Sequence, residues 1–381
     1  MKKIAIIGAS YLQEPLIQKA KRKGLETHVF AWECGDVGEK SADFFYPISI
    51  VEKDLILKKC LEIGIDGICT IASDLAVITV NYVAEKMGLI GNPMSCVEVS
   101  TNKYNMRRCF EKNGDPSPKS IRVKSYEDIK GVELTYPIIV KPVDRSGSRG
   151  ITKLESPEGL KEAIDRAIEQ GFEKCALIEE FATGQEYSVE YISWEGKHEF
   201  LALTHKYTTG APHFIETGHL EPAPVDFGTL AQVKDIVSHA LTSLGIRYGA
   251  SHSELKISKN GEIKLIEIGG RMGGDFIGSH LVELSTGFDF VGAVIDIAMG
   301  IKPEIKRNET RYAGVRFILG EDDARVFDVL KENNPEMIVS SELHSITSET
   351  VLDSGSRFGY YLMVSDDKDT LIKYLPDRHG E

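Results

Sequence analysis

The first hundred residues alternate short apolar runs with amphipathic stretches. The apolar runs have the length of buried strands, and the amphipathic stretches place apolar residues at helical spacing. The predicted strands are residues 3–8, 27–32, 65–71 and 88–91, and the predicted helices are residues 15–24 and 75–87. Because strands that alternate with helices favour a parallel, doubly wound sheet, we expect a Rossmann-like α/β domain over residues 1–100.

The pattern changes near residue 101. A helix at residues 103–112 leads into the turn-rich segment 113–118, which predicts a domain boundary. Beyond it, an α+β region is expected, with mainly antiparallel strands. The predicted strands are residues 137–143, 176–181, 186–193, 198–205, 313–319 and 359–364, and the predicted helices are residues 157–170, with Ser156 as N-cap, and 230–244. We expect a central domain at 101–305, with a lid subdomain at about 115–180, and a small C-terminal α+β unit at 306–381.

The composition is that of a globular protein and limits its partners. The chain has 381 residues, of which 42% are apolar and 27% are charged. Its 45 basic and 58 acidic residues give a net charge of −13, which opposes a nucleic-acid partner. The longest apolar stretch, residues 290–301, is too short for a membrane, and the first apolar run is too short for a signal peptide. Six cysteines without a CxxC pair argue against a zinc or redox centre, so we expect a cytoplasmic protein.

The turn after the first strand argues against a dinucleotide site. Gly8 is followed by residues 9–13, which lack the second and third glycines that let a backbone approach a pyrophosphate. We therefore expect the carboxyl edge of this sheet to hold a smaller group. Asp74 follows a strand at that edge, where it could contact the amine or carboxylate substrate or cap the next helix.

Two glutamates are predicted to face each other across a β-hairpin. The pair Asn260-Gly261 favours a two-residue type I′ turn, and counting outward from it places Glu254 opposite Glu267. Their Cβ atoms should then lie about 5 Å apart. Two like charges at this distance need a cation between them, and magnesium takes carboxylate oxygens and leaves room for phosphates. The alternative is a solvated pair of surface glutamates.

Two other segments suggest a nucleotide site. Lys141 stands in an otherwise apolar strand, where a buried ammonium group needs an anion. The following residues 144–150 are a glycine-and-serine loop that could close on phosphate oxygens or form an ordinary hairpin turn. Residues 176–186 form a strand edge beside Phe181 that could receive a flat heterocycle, with Glu186 suited to ribose hydroxyls or simply solvated.

Taken in order, these motifs resemble the ATP-grasp superfamily. The similar features are Lys103, Lys141, the glycine-rich loop to Gly150, the segment 179–182 with Glu186, Glu254, and the segment 267–274. The resemblance covers residues 1–305. It implies a Rossmann-like domain followed by an ATP-grasp fold, and among ligases it is strongest to the phosphoribosylamine–glycine ligase and L-amino-acid ligase branches.

The resemblance also implies roles for individual residues. It assigns ATP binding to Lys103, Lys141, Ser146, Gly147, Ser148, Gly150, Glu179, Glu180, Phe181, Ala182 and Glu186. It assigns Mg²⁺, with Mn²⁺ as an alternative, to Glu254 and Glu267, and catalysis to Arg271, Lys206 and His219. Substrate contacts fall to Asp74, Glu216, Arg271 and Gly273. One departure is Gly269, which stands where the family usually has a metal-binding asparagine.

The implied reaction joins a carboxylate to an amine through an acyl phosphate and releases ADP and phosphate. The expected partners are a small carboxylate and an amine or amino acid, with no nucleic acid or membrane, and the family suggests a homodimer. Two alternatives remain open. One is a biotin-carboxylase-like enzyme that activates bicarbonate, and the other is a non-catalytic nucleotide-binding module.

Overall fold

The computed structural model describes residues 1–145, 150–210, 214–347, 351 and 353–377. Within these residues the strands form three sheets, two of four strands and one of eight. No helix of the described part is long and apolar enough to cross a bilayer.

The N-terminal sheet is parallel and has helices on both sides. Its strand order is β3-β2-β1-β4, which confirms the doubly wound arrangement. The strands are β1 (Lys3–Ile7), β2 (Glu26–Phe30), β3 (Phe44–Tyr46) and β4 (Gly67–Cys69). The helices are α1 (Glu14–Arg22), α2 (Val37–Ser41), α3 (Lys53–Ile63), α4 (Asp74–Met87) and α5 (Met94–Thr101). The strand predicted at 88–91 is wrong, because Gly88 adopts φ 67° and ends α4 before an irregular segment.

A second, antiparallel sheet follows the helix α6 (Lys103–Asn113). Its order is β5-β8-β6-β7, and helix α7 (Leu160–Gln170) packs on it. The strands are β5 (Ser120–Val123), β6 (Ile138–Pro142), β7 (Thr152–Leu154) and β8 (Ala176–Glu180). Helix α7 begins later than predicted, since Gly159 at φ 76° is its N-cap in place of Ser156.

The largest sheet has eight strands, which come from the central and C-terminal parts of the chain. Its order is β13-β12-β9-β10-β11-β14-β16-β15. The strands are β9 (Gln185–Trp194), β10 (Lys197–Thr208), β11 (Glu216–Glu221), β12 (Gly249–Ile257), β13 (Ile263–Gly269), β14 (Tyr312–Ile318), β15 (Ile338–Leu343) and β16 (Gly359–Ser365). The helices are α8 (Phe227–Leu244), α9 (Val282–Thr286), α10 (Phe290–Ala298), α11 (Glu321–Asn333) and α12 (Lys368–Ile372). The C-terminal strands thus extend the central sheet through the β11–β14 pair.

The β12–β13 hairpin places Glu254 opposite Glu267, as predicted, although its turn differs from the prediction. The chain turns through a longer loop closed by Ser258 and Glu262, with Gly261 at φ 81°. This loop shifts the register by one residue near the turn. A β-bulge between Glu254 and Leu255 shifts it back, so the two deviations cancel at the glutamates.

Candidate functional site

A charged cleft lies where the small antiparallel sheet faces the central sheet, and the N-terminal domain closes one end. The space inside it is about 180 Å³, and the cleft continues into open solvent. One part of its wall is apolar. This part consists of Pro118, Ile139, Ile151, Phe181 and Ile266. A flat heterocycle would be buried best against this part of the wall.

Most of the residues predicted from the sequence border this cleft. They are Asp74, Lys103, Lys141, Glu179, Glu180, Phe181, Ala182, Glu186, Lys206, Glu216, Glu254, Glu267 and Arg271. Among the described residues, Gly150, His219 and Gly273 do not border it. The predicted loop residues Ser146, Gly147 and Ser148 lie outside the described part of the chain.

Each of the two facing glutamates is held by a lysine. The Glu254 carboxylate lies 2.8 Å from the Lys206 ammonium, and the Glu267 carboxylate lies 2.5 Å from that of Lys103. Burial favours the neutral form of Glu254, but Lys206 and His252 outweigh it and hold the pKa of Glu254 well below its usual value. Glu254 is therefore ionised at neutral pH and is available as an oxygen ligand.

These carboxylates fit a hard divalent cation. Mg²⁺ typically takes one or two carboxylates and completes its coordination with water and substrate phosphates. The described residues contain no cluster of three or more acidic, histidine or cysteine side chains arranged to hold a metal alone. We conclude that Glu254 and Glu267 could hold a cation together with a phosphate ligand, in a cleft that also presents lysines to the phosphates.

Lys206 is the most enclosed cation of the cleft. Its ammonium lies 2.8 Å from Glu254, 3.0 Å from Glu186 and 3.7 Å from Glu216. Burial alone would lower the pKa of Lys206, but the three carboxylates reverse this effect and raise it well above its usual value. Lys206 is therefore positively charged at neutral pH and lies between Glu254, the predicted metal ligand, and Glu186, the predicted ribose-binding residue.

Lys141 belongs to a buried ion triplet. Its ammonium is 2.5 Å from the Glu179 carboxylate, whose other oxygen is 2.6 Å from Nε of Arg107. All three side chains are at most 6% exposed. Burial favours neutral Glu179, but Arg107 and Lys141 outweigh it and lower the pKa of Glu179. Burial, together with the charges of Arg107 and Lys103, lowers the pKa of Lys141 against the effect of Glu179. When Lys141 is protonated, the triplet carries one excess positive charge, which makes this wall of the cleft attractive to phosphate.

The sequence reasoning missed Arg107. Arg107 stands one helical turn after Lys103 on α6, between the buried residues Met106 and Phe110. A charged residue among apolar neighbours on the buried face of a helix was the sequence signal that could have identified it. Arg107 also donates a 2.6 Å hydrogen bond to the carbonyl of Ile266, so α6 is fastened to the strand that carries Glu267.

Arg271 is fixed by a bidentate ion pair with Asp74. Nε and Nη2 of Arg271 donate to the two Asp74 oxygens at 2.8 and 2.9 Å, which joins the N-terminal domain to the end of β13. The pKa of Asp74 is lowered because Arg271 outweighs the effect of burial. Gly269 makes this pair fit, since a Cβ there would lie 2.8 Å from Asp74 Oδ1 and 3.3 Å from the guanidinium. The space of the missing asparagine is thus filled by the ion pair.

A second missed group lies behind Glu254. His252 borders the cleft, and its Nδ1 is hydrogen-bonded to the fully buried carboxylate of Glu190. The other Glu190 oxygen accepts a 3.0 Å bond from the Gly273 N–H. A Cβ at Gly273 would lie 2.7 Å from both Glu190 and His252. This glycine thus packs behind the cleft, a position that does not support the substrate role predicted for it.

His219 is also not a cleft residue. It is fully buried in β11, where its ring packs edge-on against Phe317 at 5.6 Å between centroids. Burial and the nearby charge of Lys206 hold its pKa well below the usual value. Neither ring nitrogen has a hydrogen-bond partner in the described part of the chain. The catalytic role predicted for His219 does not agree with this position.

Glu180, Phe181 and Ala182 form the strand end that was predicted to receive a flat heterocycle. The Glu180 side chain turns away from the Glu179 triplet and accepts from Lys264 at 3.3 Å. Phe181 carries two ammonium groups near its ring, with Lys153 at 4.1 Å and Lys256 at 5.1 Å from the centroid. Lys256 was not predicted and adds a further cation to the cleft wall.

Residues 134–279 match the family model of the ATP-grasp domain. Among curated proteins, the alanine–anticapsin ligase of Bacillus subtilis (strain 168) is 28% identical over 273 residues, which are 63% of this chain and 58% of that protein. The D-alanine–D-alanine ligase of Hydrogenovibrio crunogenus is 26% identical over 188 residues, which are 47% of this chain and 58% of that protein. The chain thus spans under two thirds of the length of these relatives.

A solved structure resembles nearly the whole chain. The L-amino acid ligase from Bacillus licheniformis superimposes with a TM-score of 0.83 at 23% identity, covering 98% of this chain and 96% of that one. This likeness shows that the chain has the ATP-grasp fold, with the N-terminal domain included.

Proposed function

Because residues 134–279 form an ATP-grasp domain, we propose that this protein is an ATP-dependent ligase that joins a carboxylate to an amine. The observation that carries the proposal is the convergence of two facing carboxylates, Glu254 and Glu267, with Arg271 and two lysines in one cleft. The relatives named above are ligases that act on amino-acid substrates, which supports the same reaction class.

The nucleotide would lie between the two antiparallel sheets. The apolar wall with Phe181 would cover the adenine, while the strand end at Glu180 and Ala182 would meet its edge. Glu186 would accept from the ribose hydroxyls. Lys103 and Lys141 would pair with the phosphates. Arg107 already compensates the charge of Glu179, so the ammonium group of Lys141 would attract a further anion.

The chain supplies charge and position for two successive transfers. A substrate carboxylate oxygen attacks the γ-phosphorus of ATP, the bond to the bridging oxygen breaks, and ADP leaves with that electron pair. The amine then attacks the carbonyl carbon of the acyl phosphate, phosphate leaves, and the nitrogen releases its proton to give the amide. Arg271 and Lys206 would offset the negative charge that builds up during both transfers.

The two facing glutamates, Glu254 and Glu267, fit this reaction as metal ligands. When bound, a divalent cation at Glu254 and Glu267 would neutralise phosphate charge. The place of the usual asparagine ligand is occupied by the Asp74–Arg271 pair, so we propose that this chain holds Mg²⁺ with these two glutamates as its protein ligands. Mn²⁺ is the alternative metal.

The two other functions are less well supported. A non-catalytic module needs neither paired carboxylates nor a guanidinium at the phosphate end, and this cleft has both. A bicarbonate-activating enzyme shares the fold but is the less direct fit, because the relatives named above are ligases that act on amino-acid substrates. A homodimer and a cytoplasmic location remain predictions, and light scattering of the purified protein tests the former.

The test is product analysis with pooled substrates. The protein is incubated with Mg-ATP and pooled carboxylic acids, with and without pooled amino acids, and ADP, phosphate and new masses are measured. We expect ADP release that needs both pools and a product equal to acid plus amine minus water. Release with bicarbonate alone would favour the carboxylase-like function, and ATP binding without release in any pool would contradict the ligase.

A further inference from the structure

A second cavity lies beside the reaction cleft. It is bounded by the end of β4, one side of α4, the start of β12 and helix α10, at the junction of the N-terminal domain and the central sheet. Its wall is mostly aliphatic and includes Ile68, Val77, Ile90, Val294 and Ile297. The sequence motif at residues 267–274 reaches this cavity through Gly270 and Arg271.

The two cavities adjoin along three elements. On β12, Ala250 borders the second cavity, and the next alternate residues, His252 and Glu254, border the cleft. Tyr248 and Gly249, at the beginning of the strand, also border the second cavity. Alternate residues share one face of a strand and lie about 7 Å apart. Both cavities therefore open on the same face of the central sheet.

Helix α4 and the end of β13 show the same continuity. Asp74 borders the cleft, and Val77, one turn further along α4, borders the second cavity. After β13, Gly269 borders the cleft, Gly270 borders the second cavity, and Arg271 borders both. The Arg271 guanidinium is thus the charged group at the boundary between the reaction centre and the aliphatic cavity.

Arg271 retains donors for a ligand. Within the described residues, its guanidinium donates to both Asp74 oxygens and to the carbonyl of Met272 at 3.3 Å. A guanidinium has five N–H groups, so two of them remain for a carboxylate. The polar side chains at the far end of the cavity do not compete, since Asn81 and Asn92 are already bonded to backbone groups.

From this arrangement we infer that the second cavity receives the aliphatic substituent of the acid substrate while Arg271 binds its carboxylate. This inference rests on the proposed function. The cavity has a volume of about 60 Å³. A dry apolar cavity that holds one benzene ring has roughly 150 Å³, so the occupant is a branched or linear group of about two to four carbons and not an aromatic ring. The substrate class is therefore a short aliphatic acid or amino acid.

The test changes the cavity volume in both directions. Ala298→Leu fills the cavity from α10, and Ile90→Ala enlarges it from the loop after α4. Ala231→Leu on α8, which borders neither cavity, is the matched control. For each variant, kcat/KM is measured with glycine, alanine, valine and phenylalanine as the acid component. Direct binding of isobutyrate and phenylacetate is measured by saturation-transfer NMR.

We expect the wild type to prefer valine or alanine and to bind isobutyrate. Ala298→Leu should lower kcat/KM for valine by about 10-fold or more and leave glycine within about threefold, while Ile90→Ala should shift the preference towards phenylalanine. Isobutyrate binding should be lost in Ala298→Leu and kept in Ala231→Leu. An unchanged substrate ranking in all variants, or isobutyrate binding that is absent in the wild type or equal in Ala298→Leu, would overturn the inference.

The two proposals can fail separately. If ligation proceeds but the ranking does not respond to cavity volume, the cavity assignment fails and the ligase stands. If no acid supports ADP release, yet isobutyrate binds and Ala298→Leu abolishes its binding, the ligase fails and the cavity stands.

Discussion

Removal of the Glu179 carboxylate should destabilise the protein far more than removal of either cation that it holds. Glu179 lies within 2.6 Å of nitrogen atoms of both Lys141 and Arg107, and all three groups are buried. In Glu179→Gln, two cations remain in a site of low polarity with no carboxylate between them. Breaking a buried ion pair in this way costs about 3–5 kcal/mol of unfolding free energy.

The matched change is Lys141→Met, which leaves the Arg107–Glu179 pair intact and removes a like charge beside Arg107. Because Glu179 keeps Arg107 as its counter-charge in this variant, no buried charge is left unpaired, and we expect a smaller cost of about 0–2 kcal/mol. Glu162→Gln on the exposed face of α7 is the surface control and should stay within about 0.5 kcal/mol of wild type. The measurement is urea denaturation followed by circular dichroism at pH 7.

The pH dependence gives a second check. Since the pKa of Glu179 is lowered in the folded protein, its stabilising contribution is present above the unfolded value of 4.5 and is lost as the pH falls below it. The difference in stability between wild type and Glu179→Gln should therefore narrow between about pH 5 and pH 3. The reasoning is refuted if Glu179→Gln lies within 1 kcal/mol of wild type, or if Lys141→Met is the more destabilising change.

Three further predictions concern the cleft and the central sheet. Glu267→Gln should abolish ATP turnover in a protein that stays folded by circular dichroism, although loss of the ion pair with Lys103 lowers its thermal midpoint. Glu262→Gln in the same hairpin should keep turnover and the wild-type midpoint, and turnover in Glu267→Gln would contradict the metal assignment. Gly269→Ala should lower kcat at least 10-fold, because its Cβ would displace the Asp74–Arg271 pair, and a wild-type kcat would show that the pair is dispensable. Burial raises the pKa of Glu221 to about 7 in the folded protein. As the pH rises, the carboxyl group therefore ionises first in the unfolded chain, and the free energy of unfolding falls by about 3 kcal/mol between pH 4.5 and 7. Glu221→Gln should flatten that slope in urea titrations, and an unchanged slope would assign the pH dependence elsewhere.

The local parts of the fold were predictable from the sequence, and the long-range pairings were not. The strand at residues 137–143 and the facing glutamates follow from apolar runs and from counting along one hairpin. The pairing of Glu254 with Glu267 was obtained from a two-residue turn that does not form, because the longer turn and the bulge offset each other. The extra residue of the bulge, Ile266, lies on the edge strand β13, and its carbonyl accepts from Arg107 of α6, which lies far away in sequence.

Two of the missed residues, Arg107 and Glu190, share one physical property, which is burial of a charge. Arg107 and Glu190 are nearly or fully buried, although charged side chains are usually exposed unless they are paired. Their partners, Glu179 and His252, lie 72 and 62 residues away along the chain, so no local pattern identifies either pair. The catalytic role of His219 was predicted from the family resemblance, and its burial beside β14 depends on a strand pairing that the local sequence does not indicate.

The charges of the cleft explain how so many ionic groups can share one site. Among the residues that the structure describes, its wall has six lysines and arginines and seven aspartates and glutamates, and the most buried acids each face a base. Lys103 holds Glu267, Lys206 holds Glu254, and Arg271 holds Asp74. These pairs lie at the boundary between elements that are far apart in the chain, so they fasten the domains while they keep each charge compensated. A nucleotide would bring anions to the lysines and cations to the carboxylates, and the cleft could exchange partners without leaving a buried charge unpaired.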